Sequence, residues 1–139
     1  MLDRTQKQGY NRSMEKTYKI EGKIKYHRTW VLAEIDEDLG PYYRALLPRA
    51  WHVNPPMAKP HISIVRKFEE PDRTLWKKYD GLSLIIDCFP GVETDGIYYW
   101  IDCLSDEVGH VRRSLGLKTF RQDEWSDYNT YHITIGNVK

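Results

Sequence analysis

Pro60-His61-Ile62-Ser63-Ile64 and Tyr131-His132-Ile133-Thr134-Ile135 are two versions of one short pattern, in which a histidine and a hydroxyl side chain alternate with isoleucines. Residues i and i+2 of a strand share a face. The pattern therefore predicts two strands, each with its isoleucines in the core and with His61 and Ser63, or His132 and Thr134, on the opposite face. One His-aliphatic-hydroxyl-aliphatic tetrapeptide is expected by chance in roughly a few per cent of chains this long, and a pair is far rarer. A single copy would read as a surface strand with a satisfied histidine. Two copies point to a shared site.

Working outward, each motif ends a similar series of elements. Residues 29–35 read as a strand, and Asp36 to Asp38 form an acidic start for a helix through Tyr42, Tyr43, Leu46 and Leu47. Before the second motif, residues 97–104 read as an aromatic strand, and Ser105 caps a helix over 106–115 that Gly116 ends. Asp38-Leu39-Gly40 with Arg44 and Leu46 matches Glu107-Val108-Gly109 with Arg113 and Leu115 at a constant offset. Strand, helix and motif strand thus occur twice, which predicts two similar lobes about an approximate two-fold axis, both histidines facing one cleft. A helix-surface salt bridge explains Arg44 and Arg113 at least as well as a ligand role, so neither is assigned to the site.

The rest of the chain fills out an α+β reading. Tyr18, Ile20, Gly22, Ile24 and Tyr26 alternate with polar neighbours and predict a half-buried strand over 17–26. Residues 71–79 read as a short helix, with Leu75 and Tyr79 on one face, and 82–89 as a buried strand. Thr94-Asp95-Gly96 is a turn signal, and 130–136 the last strand. Residues 1–15 hold almost no aliphatic anchors and read as a mobile arm. Residues 16–139 then form a single domain.

Composition narrows the function. With 139 residues, 40 % hydrophobic and 29 % charged, the chain has the make-up of a folded domain with a real core. Its formal charge of +1 argues against coating long DNA or RNA, while a small anionic ligand in a locally basic cleft stays open. The N-terminal residues lack a signal-peptide core and no stretch has the apolar length of a membrane span, so the expected partners include no membrane and the expected location is the cytoplasm. Cys88 and Cys103 lie in strand-like runs, where free thiols are at least as expected as a bridge. His27, His52 and His110 read as surface residues, and no spacing makes a metal set or calls for a cofactor.

Cleaving a phosphodiester needs a base for the nucleophile, an acid for the departing oxygen and donors for the phosphate oxygens. The two motifs supply all three. With an RNA-like substrate the adjacent 2′-hydroxyl is the nearest nucleophile, and its attack needs no metal-bound water. Lys59, two residues before His61, is placed by alternation on the cleft face. Trp76, Tyr98, Trp125 and Tyr128 are candidate partners for nucleotide bases.

Together these motifs resemble the paired H-x-[ST]-x motifs of the two-histidine (2H) phosphoesterase superfamily, from about Trp30 to the C-terminus. The resemblance implies a bilobal fold, two antiparallel sheets around a central cleft with helices outside. It makes His61 and His132 the acid-base pair, and Ser63 and Thr134 the phosphate ligands. Residues 94–100, Thr-Asp-Gly-Ile-Tyr-Tyr-Trp, with the closing His132-Ile133-Thr134-Ile135-Gly136-Asn137, look most like the phage anti-CBASS phosphodiesterases. These degrade cyclic di- and trinucleotides, and the likeness implies a viral protein acting in the host cytoplasm. The alternatives are an RNA-processing relative acting on 2′,3′-cyclic phosphate or 2′,5′-linked ends, and a protein that only sequesters a nucleotide. Residues 1–26 match no motif of the superfamily.

Overall fold

The computed structural model describes residues 16–118 and 130–139. The expected N-terminal arm, Trp125 and Tyr128 lie outside the described residues. The chain forms strands β1 (Tyr18–Tyr26) and β2 (Val31–Glu34), helix α1 (Leu39–Ala45), strands β3 (His61–Val65), β4 (Ser83–Thr94) and β5 (Tyr98–Leu104), helix α2 (Asp106–Ser114) and strand β6 (Thr130–Asn137). This is an α+β fold on an antiparallel sheet.

All six strands join one sheet in the order β3-β2-β1-β4-β5-β6. The order is a palindrome: the first half runs outward from β1 to β3 and the second outward from β4 to β6. The expected repetition of strand, helix and motif strand is thus visible in the topology. The expected pair of separate sheets is not, because β1 and β4 share a ladder from Tyr18 opposite Cys88 to Lys23 opposite Ser83. The end strands β3 and β6 come into contact without a ladder between them, which curls the sheet into a nearly closed barrel.

Alternation decides which faces are buried. Ile62, Ile64, Ile133 and Ile135 are all 0 % exposed and pack in one core with Ile24, Ile86 and Ile101. Strand β4 departs from the expected doubly buried strand: Leu84 and Ile86 are buried, but Ile85 is 44 % exposed, so only one face meets the core. The helix expected over 71–79 is instead one 3-10 turn, Arg73–Leu75. Asp72 caps it by accepting from the Thr74 N–H, Trp76 is already extended, and Lys77 takes a positive φ of 72° that no right-handed helix continues. By contrast, α2 begins as read: Ser105 accepts from the Val108 N–H at 3.1 Å, and Gly116 ends it with φ 75°.

Each motif strand also carries a bulge. Leu32 pairs with Ser63 and Val31 with Val65, which leaves Ile64 as the extra residue. Likewise Trp100 pairs with Thr134 and Tyr99 with Gly136, which leaves Ile135. The two bulges fall at the same place, directly after the hydroxyl residue of each motif.

Candidate active site

Before the bulges the motif strands keep regular register, so His61 and Ser63 share one face and His132 and Thr134 another. Ser63, His132 and Thr134 line a cavity of about 1140 Å³ together with Arg66, Tyr98, Trp100 and Asp102. His61 stands on the Ser63 face of β3, close enough to His132 for its charge to act on that ring. One imidazole and two hydroxyls from the two ends of the sheet thus line the cavity, while His61, on the same face of β3 as Ser63, is not among the described lining residues.

The two halves surround their histidines alike. Glu34 is the cross-strand partner of His61, and Asp102 that of His132. Trp30 meets the His61 ring edge-on with centroids 6.4 Å apart, and Trp100 meets His132 at 6.5 Å. Trp100 is itself held, its Nε1–H donating to Asp102 Oδ1 at 3.0 Å.

The histidines differ in what fixes them. His61 Nδ1 lies 2.7 Å from the Lys59 carbonyl oxygen. A carbonyl can only accept, so Nδ1 carries the proton and Nε2 is left for exchange with a ligand. Solvent reaches His132 through the cavity, but the walls crowd the ring, and this partial dehydration pushes its pKa below the usual value. The charge of Asp102 works against the shift, and His61 and Arg66 add to it.

Cations and carboxylates form the floor. Arg112 is 2 % exposed and donates hydrogen bonds to Ile64 O, twice to Lys118 O and to both Glu69 oxygens. Glu69 also accepts from the Arg66 backbone N–H at 2.8 Å and from its guanidinium at 3.3 and 3.4 Å. Burial alone would raise the Glu69 carboxyl, but the hydrogen bonds from Arg112 and Arg66 outweigh it and hold the pKa at about 2. The Arg66 side chain remains 44 % exposed and lines the cavity, as does Lys118, so both offer positive charge to an anionic ligand.

The remaining sequence candidates divide. Tyr98 lines the cavity, placed by a turn in which Asp95 Oδ1 accepts from the N–H groups of Ile97 and Tyr98. Lys59 is turned outward into an ion pair with Glu37 at 2.7 Å and lines a different crevice, with Arg44 and Pro60. Trp76 packs edge-on against Tyr26 at 5.0 Å, with Arg73 over its ring, and is not among the described lining residues. Asp102, Arg66, Glu69 and Arg112 were not singled out from the sequence; register across β5 and β6 is the signal that would have found Asp102. The counterpart of Arg44 is Arg112 and not the expected Arg113, which is exposed. Among the described residues, no three of His, Cys, Asp and Glu converge as metal ligands would. Comparison with protein-family models, curated proteins and solved structures yields no match for this chain.

Proposed function

We propose that the chain is a metal-independent phosphodiesterase of the two-histidine kind, with a bilobal fold of that superfamily, acting on the 3′,5′ linkages of cyclic di- and trinucleotides to defeat a CBASS response. The observation that supports this most is the meeting of β3 and β6, the two ends of a palindromic sheet, with Ser63 of one motif and His132 and Thr134 of the other lining one cavity.

In this reading His132, kept neutral by its depressed pKa, takes the proton of the substrate 2′-hydroxyl. The oxygen attacks phosphorus in line, the bond to the 5′-oxygen breaks, and His61 gives that oxygen a proton from Nε2 while Nδ1 stays anchored on the Lys59 carbonyl. The products are a 2′,3′-cyclic phosphate and a free 5′-hydroxyl. Ser63, Thr134 and Arg66 bind the non-bridging oxygens as charge builds on them. Trp100 and Tyr98 offer ring faces to a base, a contact worth about 1–3 kcal/mol.

The test is incubation in EDTA with a cyclic 3′,5′-linked dinucleotide, and separately with an RNA 2′,3′-cyclic phosphate, read by liquid chromatography with fragmentation mass spectrometry, because the opened dinucleotide is an isomer of the ring and is told from it by retention and fragments. Opening of the dinucleotide, lost in His132→Ala, supports the proposal. Hydrolysis of the RNA terminus alone assigns the chain to RNA processing. Tight binding without turnover makes it a sequestering protein, and a rate that collapses in EDTA and returns with a divalent ion overturns the metal-free chemistry.

A further inference from the structure

At the bulges of both motif strands, the carbonyls of Ile64 and Ile135 are each met by an arginine from the opposite half. Arg112 of α2 donates Nη1–H to Ile64 O at 2.6 Å, and Arg44 of α1 donates Nη1–H to Ile135 O at 2.7 Å. A bulge leaves its extra residue unpaired and re-aims the neighbouring side chains. Here the residue just before each bulge is Ser63 or Thr134.

We infer that Arg44 and Arg112 form a reciprocal clamp that sets how far β3 stands from β6, and so positions His61 against His132. The effect on turnover rests on the two-histidine reading; the effect on geometry does not. No ladder joins β3 to β6, so no regular spacing holds them at a fixed distance. A guanidinium on a bulged carbonyl supplies that distance, because the donor is planar and always charged. Room has been left for it: a Cβ on Gly40 would sit 2.9 Å from Arg44 Nη1, and one on Gly136 3.4 Å from Arg44 Cδ. On the other side, Glu69 and the Lys118 carbonyl brace Arg112 from behind. The two arginines are positioning residues, acting through the backbone that carries the histidines.

Arg44 is the one to vary, since Arg112 also neutralises Glu69. The experiment is an NMR titration of His61 and His132 in wild type, Arg44→Met and Arg44→Lys, with Tm, kcat and KM on a cyclic 3′,5′-dinucleotide measured alongside. Among the described residues, the charged and titratable groups acting on His132 are Asp102 from β5, His61 from β3 and Arg66 just beyond β3. When β6 relaxes away from β3, dehydration and the influence of His61 and Arg66 weaken together. Arg44→Met is therefore expected to move the His132 midpoint up towards its usual value and to lower kcat at least tenfold with KM within twofold. Arg44→Lys, which keeps one charged donor, should fall between. A lowered Tm with His132 unmoved and kcat within twofold would reduce the arginine to a structural brace and overturn the clamp. Should Arg44→Met not fold, the same titration on Arg44→Lys decides. If wild type does not open the dinucleotide, the phosphodiesterase reading fails, and the His132 shift alone judges the clamp.

Discussion

Asp102 stands directly across the β5–β6 ladder from His132, on the same face of the sheet and with its carboxylate holding the Trp100 indole. Its charge favours the imidazolium, against the dehydration that disfavours it. If His132 is the base, as proposed, the acidic limb of the activity profile should lie below the usual histidine value of 6.5, because the ring would have to be neutral and would be lost as a base only as pH falls through its own depressed pKa. Asp102→Asn removes the opposing charge, so the limb should move to still lower pH. A profile of kcat/KM against pH checks this, and a limb that stays in place or moves up would separate Asp102 from the titration.

His61→Ala and His132→Ala should each lower turnover by about 10²–10⁴-fold while circular dichroism stays native, since both rings face solvent or the cavity and not the core. On the proposed mechanism, in which each hydroxyl donates to the phosphate, Ser63→Ala and Thr134→Val should cost about 10²-fold, read in kcat more than in KM.

Glu69→Gln should destabilise the fold by about 3–5 kcal/mol at neutral pH, because it removes the carboxylate charge that Glu69 sets against the buried guanidinium of Arg112. The pH sign follows from a folded pKa of about 2 against the ordinary 4.5. Wild-type Glu69 contributes its full stability above 4.5 and loses it as pH falls from there towards 2. Urea melts at neutral pH and through that window should show wild type losing stability with acid more steeply than Glu69→Gln.

Gly136→Ala should be destabilising by about 1–3 kcal/mol. A Cβ at this position would lie 2.7 Å from the Asn54 carbonyl oxygen and 2.5 Å from Val53 Cγ1, where the segment at Asn54 bridges to Asn137 with bonds of 2.7 and 3.0 Å. Denaturant midpoints measure it, and an unchanged midpoint would mean that this segment gives way freely.

Much of this was legible in the residues. Alternation placed the isoleucines of both motifs in the core, and the echo between 38–46 and 107–115 pointed to a repeated half, which the palindromic sheet displays. What could not be read depends on pairing between distant segments. The Asp102 to His132 relation exists only in the β5–β6 register. The bulges at Ile64 and Ile135 leave no mark in a His-Ile-hydroxyl-Ile string, and helix spacing alone favoured Arg113 over Arg112 by one residue. Lys59 was placed by strand alternation, but it lies before β3 begins at His61, where Glu37 captures it. The 71–79 helix failed at Lys77, whose left-handed backbone no propensity announces.

The seam between β1 and β4 has a kinetic meaning. Tyr18 must find Cys88 before the halves are one sheet, and β3 cannot meet β6 until they are. Closing so long a loop is entropically slow, and proteins dominated by such distant pairings fold on the order of milliseconds to seconds. Each half can assemble its hairpin early from neighbouring segments, yet neither holds more than one histidine motif. Competence would thus arrive late and all at once, as a property of the closed molecule and of no earlier species on the way to it.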